Sequence, residues 1–150
     1  MQTNLSEAAK KLPRAEEAES ILRSCVHCGF CNATCPTYQL LGDELDGPRG
    51  RIYLIKQLLE GEAEVATARQ HLDRCLTCRN CETTCPSGVE YVRLLEIGRE
   101  QVEVREPRPL FDRVMRWGLR TVLPYLRRFA FGLGVARMLR PLLPGVLRKG

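Results

Sequence analysis

Eight cysteines fall into two runs of identical spacing. Cys25, Cys28, Cys31 and Cys35 precede Pro36, and Cys75, Cys78, Cys81 and Cys85 precede Pro86, fifty positions further on. No cysteine lies outside the runs. Thiolates are soft donors that match iron–sulfide cores, and C-x2-C-x2-C-x3-C-P is the ligand spacing of [4Fe–4S] clusters. Two runs imply two clusters, and so one-electron chemistry in which charge enters at one centre and leaves at the other. Structural zinc takes four ligands at a site, but a third cysteine two residues on and a fourth before proline, twice over, do not read as zinc ribbons. Disulfides fit no better, because cysteines this tightly spaced pair awkwardly.

In two-cluster proteins with this run the fourth cysteine ligates the other cluster. That rule predicts Cys25, Cys28, Cys31 and Cys85 around one cluster, and Cys75, Cys78, Cys81 and Cys35 around the second. Crossed ligation would tie the two halves into one unit, with much of the folding free energy supplied by cluster binding. Gly29 permits close backbone approach beside Cys28. His27 and His71 are expected to stay outside the ligand sets, since cysteine already fills all eight positions.

The runs need elements to hold them. Residues 15–24 read as a short helix leading into Cys25. Between the runs, Ile52, Ile55 and Leu59 recur at helical spacing over 51–60, and Gly61 is a stop. A second helix is expected over 63–74, with Val65, Ala68 and Leu72 on one face. A third is expected over 89–105 through Val89, Val92, Leu95 and Val102. Pro107 and Pro109 then break the pattern. The repeat extends past the cysteines, since Leu22 pairs with Leu72 and Thr34 with Thr84 at the same offset. Small bacterial ferredoxins join closer runs by short strands, whereas the spacer here is long and helical in pattern. The expected fold is therefore all-α: an α-helical two-cluster ferredoxin domain at 1–105, with cluster motifs at about 15–45 and 66–95, and a basic helical tail at 106–150.

Charge divides the chain at the same place. Residues 1–105 carry 13 Lys/Arg against 16 Asp/Glu, and residues 106–150 carry 10 against 2. The tail sets Arg113, Arg116, Arg120, Arg127, Arg128, Arg137 and Arg140 among apolar residues, and Pro124, Pro141 and Pro144 cut it into short amphipathic pieces. It reads as a connector or partner surface, with docking on anionic headgroups the second reading and nucleic acid disfavoured. No apolar run approaches the roughly 18 residues of a membrane span, and no secretory signal is evident. The expected location is the cytoplasm, or the cytoplasmic face of the inner membrane. Phe131-Gly132-Leu133-Gly134 lacks the remainder of a dinucleotide fingerprint, and no nucleophile–base set appears. No residue is expected to be catalytic.

Three stretches carry a resemblance. Cys25-Val-His-Cys-Gly-Phe-Cys31, the segment from Thr37 to Tyr53 and Leu76-Thr-Cys-Arg-Asn-Cys-Glu-Thr-Thr-Cys-Pro-Ser-Gly88 closely resemble the iron–sulfur subunit of bacterial glycolate oxidase (glycolate dehydrogenase). The resemblance implies an electron-transfer subunit, without a substrate site, of a 2-hydroxyacid oxidoreductase complex. Flavin-containing partner subunits would oxidise glycolate to glyoxylate, and two [4Fe–4S] clusters here would pass the electrons towards a quinone-type acceptor. Members of that family continue into a second half with two cysteine-rich CCG domains, so the likeness is to the N-terminal portion. The cysteine runs alone also fit a free-standing ferredoxin-like carrier, or the iron–sulfur subunits of glycerol-3-phosphate dehydrogenase, lactate-utilisation and heterodisulfide reductase systems.

Overall fold

A computed structural model describes residues 1–139. Every regular element among them is helical, with no strand, which is the all-α architecture expected from the spacer. The described residues fall into two units, Met1–Pro107 and a second beginning at Arg108.

In the first unit, α1 (Glu7–Lys10) is capped by the Ser6 hydroxyl, which accepts from the Ala9 N–H at 3.2 Å. Helix α2 (Ala15–Ser24) leads to the first cysteine run, whose last residues form a 3-10 turn, Phe30–Thr34. Helix α3 (Pro36–Leu41) starts on Pro36, where a missing N–H costs nothing. A 3-10 turn, Glu44–Asp46, joins it to α4 (Pro48–Glu60), which also begins on a proline. Gly61, at φ 85°, ends α4. Helix α5 (Val65–Asp73) precedes the second run, α6 (Asn80–Thr83) lies within it, and α7 (Tyr91–Arg105) follows.

The spacer helix thus begins three residues earlier than periodicity predicts, because Pro48 is a good first residue. The helix after the second run begins two residues later than predicted, since Gly88 at φ 61° turns the chain first. The core joins α2, α4, α5 and α7 through Leu22, Ile55, Leu58, Leu72, Leu94 and Leu95, all essentially without solvent contact. Each contributes roughly 1.5–3 kcal/mol by burial. Helix α7 buries Leu94 and Ile97 besides the predicted face, because it packs on α2 as well as on α4 and α5.

Helix α4 is pressed onto the Glu44–Asp46 turn at Gly50. A Cβ there would lie 2.1 Å from the Glu44 carbonyl oxygen and 2.9 Å from the Leu45 Cα, both backbone atoms that cannot swing aside. Gly50→Ala should gain up to about 1 kcal/mol in helix propensity yet lose more to overpacking, for a net cost of about 2 kcal/mol. A denaturant midpoint at or above that of the unaltered protein would contradict this close fit.

In the second unit, α8 (Leu110–Val122) and α9 (Leu126–Leu139) are joined across Pro124. Met115, Leu119 and Val122 of α8 line an apolar groove with Phe129 and Leu133 of α9. The Arg128 guanidinium lies 4.4 Å from the Tyr125 ring centroid. Arg140, Pro141 and Pro144 lie outside the described residues. Among the described residues, no helix is long and apolar enough to cross a membrane.

Candidate metal centres

The two cysteine loops repeat in backbone conformation as well as in sequence. Cys25 and Cys75 end their leading helices by donating N–H bonds to Leu22 and Leu72 carbonyls, each at 3.2 Å. Two residues on, His27 (φ 59°) and Thr77 (φ 56°) are left-handed, and so are Gly29 (φ 85°) and Arg79 (φ 65°). Cys35 and Cys85 close the runs on Asn32 and Glu82 carbonyls, again at 3.2 Å. His27, Thr77 and Arg79 are the non-glycine residues with positive φ among those described, a conformation that costs about 1 kcal/mol or more apiece. The strain sits only in the cysteine loops, where it curls the chain around a centre and turns N–H groups inward. The His27 N–H does donate to the Cys25 sulfur.

Cations close the helix ends behind both loops. The Met1 ammonium donates to the Cys25 carbonyl at 2.7 Å and to that of Leu22 at 3.2 Å. Arg99 does the same for Cys75 at 2.9 Å and Leu72 at 2.8 Å. Carbonyls left over at helix C-termini are thereby satisfied.

Two adjacent hollows result. Cys25, Cys28, Cys31 and Cys85 line the first, together with Cys81. Cys35, Cys75, Cys78 and Cys81 line the second. Pro48, Cys81 and Tyr91 border both, forming a shared wall. Each hollow therefore draws cysteines from both runs. All eight cysteines carry free thiols, with Cys28 and Cys78 exposed at the rims.

The donor set suits a multi-iron core better than a single ion. Zn–S bonds of about 2.3 Å put tetrahedral sulfurs within about 4 Å of each other, yet no three of these cysteines bring their sulfurs within 4.8 Å of one another. The trio that does converge so closely among the described residues is Asp43, Asp46 and His71, and Asp46 is already bonded to two arginines. Burial pushes the Cys31 thiol up to about 11 and the Cys81 thiol up to about 12, with neighbouring sulfurs adding to both. Thiols this reluctant to ionise would have to give up their protons to hold a cationic core, which would couple loading to proton release.

The strip from Thr37 to Arg51, part of the resemblance-bearing segment, forms a wall of both sites. Asn32 is buried beside Cys31, donates to Glu44 at 3.0 Å and accepts from the Arg49 N–H at 3.3 Å. Glu44 also pairs with the Arg49 side chain at 2.6 Å. Arg49 packs over the first loop so closely that a Cβ on Gly29 would lie 2.7 Å from its Nη1.

Behind the second hollow, Arg51 is 1% exposed and donates to the His71 carbonyl at 2.7 Å, to Thr37 Oγ1 at 3.1 Å and to Asp46 at 3.4 Å. Asp46, without solvent contact, also meets Arg74 at 2.7 Å and His71 Nδ1 at 3.0 Å. Burial opposes its charge, but hydrogen bonds from His71 and Arg74 outweigh that and hold its carboxyl below the usual range. His71 thus belongs to a polar network behind the cysteines. His27 stacks near Tyr53, with ring centroids 5.8 Å apart. Arg51, Asp46 and Tyr91 carry no motif that periodicity could single out. Their one sequence signal is membership of the segments that resemble a known family, or adjacency to them.

The stretch that carries both cysteine runs has known relatives. The 4Fe-4S dicluster domain family matches residues 21–89. The chain is 63% identical over 148 residues to the glycolate oxidase iron–sulfur subunit of Escherichia coli strain K12, covering 99% of this chain and 36% of that protein. It is 44% identical over 105 residues to the probable glycolate oxidase iron–sulfur subunit of Bacillus subtilis strain 168, covering 69% of this chain and 23% of that protein. The succinate dehydrogenase iron–sulfur subunit of Paracoccus denitrificans is 32% identical over 75 residues, covering 45% of this chain and 29% of that protein. No solved structure gives a significant match. The chain spans about a third of the length of its Escherichia coli relative. It is similar to glycolate oxidase iron–sulfur subunits and matches the 4Fe-4S dicluster domain family over residues 21–89.

Proposed function

We propose that Met1–Pro107 holds two [4Fe–4S] clusters and carries electrons within a glycolate-oxidising complex, from a flavin-bearing partner towards a quinone-type acceptor. Cys25, Cys28, Cys31 and Cys85 would ligate one cluster, and Cys35, Cys75, Cys78 and Cys81 the other. The observation that carries this reading is the pair of adjoining cysteine-lined hollows, each lined from both runs. When bound, the clusters supply reversible one-electron storage.

The chain's own residues do the rest. The left-handed loop residues curve the backbone around each core, and Met1 and Arg99 hold the ends of the leading helices. Cys81, Pro48 and Tyr91 keep the centres adjacent with little solvent between them. Val26 and Phe30 by the first loop and Leu76 by the second remain largely exposed. These are apolar rims of the kind a partner covers, and they support exchange with other subunits on either side. The basic α8–α9 unit offers a second docking surface for such a partner.

The test is anaerobic purification of the chain with and without its flavoprotein partners, followed by electron paramagnetic resonance. With the partners present, adding glycolate should produce a reduced-cluster signal. Reduction by dithionite without reduction by glycolate would remove the glycolate assignment and leave a carrier for some other donor. A colourless chain with no iron or sulfide would end the cluster reading.

A further inference from the structure

We propose that the chain builds its two cluster sites unequally, making the one bounded by Cys35, Cys75, Cys78 and Cys81 the more easily reduced. Tyr91 and Arg51 set the difference. The inference rests on the assignment of two [4Fe–4S] clusters to these hollows and concerns which of them holds an arriving electron.

The backbone cannot make the sites differ much, because both loops repeat the same left-handed positions and the same closing hydrogen bonds. The side chains do not repeat. At the second site, the Tyr91 hydroxyl donates to Cys75 Sγ at 3.5 Å, and that sulfur is the acceptor it reaches. Tyr91 is buried, so water does not compete for this bond. Thr37 Oγ1 donates its proton to the Asp46 carbonyl at 2.8 Å and accepts from Arg51 at 3.1 Å, so it gives none to Cys35 Sγ, 3.2 Å away. Arg51 Nη1 itself lies 4.0 Å from Cys35 Sγ.

The first site has no counterpart. Asn32 Oδ1 faces Cys31 Sγ there at 3.9 Å and can only accept, as the Asp46 carbonyl does at 3.8 Å from Cys35 Sγ; among the described residues, no side chain donates to a first-site sulfur. Its nearby guanidinium, Arg49, is balanced by Glu44 at 2.6 Å and is about one-third exposed. The Met1 ammonium is its other cation, which keeps its charge near Cys25 but donates to carbonyls and not to a sulfur. At the second site, Arg51 is 1% exposed and directs Nη1 toward Cys35 Sγ, sharing the Asp46 carboxylate with Arg74 at the solvent edge.

Hydrogen bonds to sulfur and nearby positive charge favour the more negative, reduced core, and so raise its potential. One electron from the reduced donor therefore settles on the second site, and the donor is oxidised by one electron. The first site is refilled only afterwards.

Redox titration of the loaded chain, followed by electron paramagnetic resonance, tests this directly. Two midpoints are expected. Tyr91→Phe should lower only the higher one, cutting the reduced-to-oxidised ratio at fixed potential about tenfold, which is about 59 mV for one electron. A variant with full iron and sulfide whose higher midpoint does not move, or whose lower midpoint moves instead, would overturn the asymmetry while leaving the cluster assignment intact. A chain lacking iron and sulfide would overturn both.

Discussion

Cys85→Ala should empty the hollow framed by the first cysteine run, although residue 85 lies in the second. Iron and sulfide should each fall by about four atoms per chain, and the paramagnetic signal that disappears should be the one also abolished by Cys25→Ala. Cys35→Ala should remove the other signal, together with Cys75→Ala. The reason is the lining of the two spaces: Cys85 sits with Cys25, Cys28 and Cys31, and Cys35 sits with Cys75 and Cys78. If ligation were uncrossed, Cys85→Ala would instead share its lost signal with Cys75→Ala. The stability cost should also be large, because each cluster would pin together loops fifty residues apart and its binding free energy is folding free energy. A variant that keeps both signals and its full melting temperature would show Cys85 to be no ligand.

Local sequence patterns reported the helices well because helices are local. Residues 15–24 form α2 as read, and Ile52, Ile55 and Leu59 do face inward from α4. The periodicity of 89–105 missed Leu94 and Ile97, since a helix packed on two sides buries more than one stripe. The cysteine spacing carried the chemistry because a ligand run is a contiguous signature. What it could not carry was the wall behind the ligands. Asp46, Arg51 and His71 are 5, 20 and 25 residues apart in their mutual contacts. No periodic rule links them, and a charged residue in a sequence reads by default as a solvated one. The same limit hid the role of Tyr91, which as a sequence feature is one aromatic at the start of a helix. The left-handed conformations of His27, Thr77 and Arg79 were equally invisible, because these residue types do not advertise positive φ as glycine does.

The buried network should prove as important to folding as any apolar contact. Asp46→Asn is expected to cost about 3–5 kcal/mol, since it leaves Arg51, 1% exposed, with its charge uncompensated in the interior. For a domain of this size that lowers the melting temperature by roughly 10 °C or more. Asparagine keeps the shape of aspartate, so lost volume cannot explain the change. Whichever way the amide turns, its nitrogen would face a donor, His71 and Arg51 at the Oδ1 position or Arg74 at the Oδ2 position, where the carboxylate now accepts. Arg51→Met should cost a similar amount for the complementary reason: it strips a cation from Asp46 and leaves the His71 carbonyl and Thr37 hydroxyl short of a donor. The decisive comparison is the double variant Asp46→Asn/Arg51→Met. When both charges are removed, neither is stranded, so the loss should fall well short of the sum of the single losses. Thermal melts of the four proteins close the cycle. Additive losses would mean that the two side chains stabilise the wall independently, and that their ion pair is incidental to the second site.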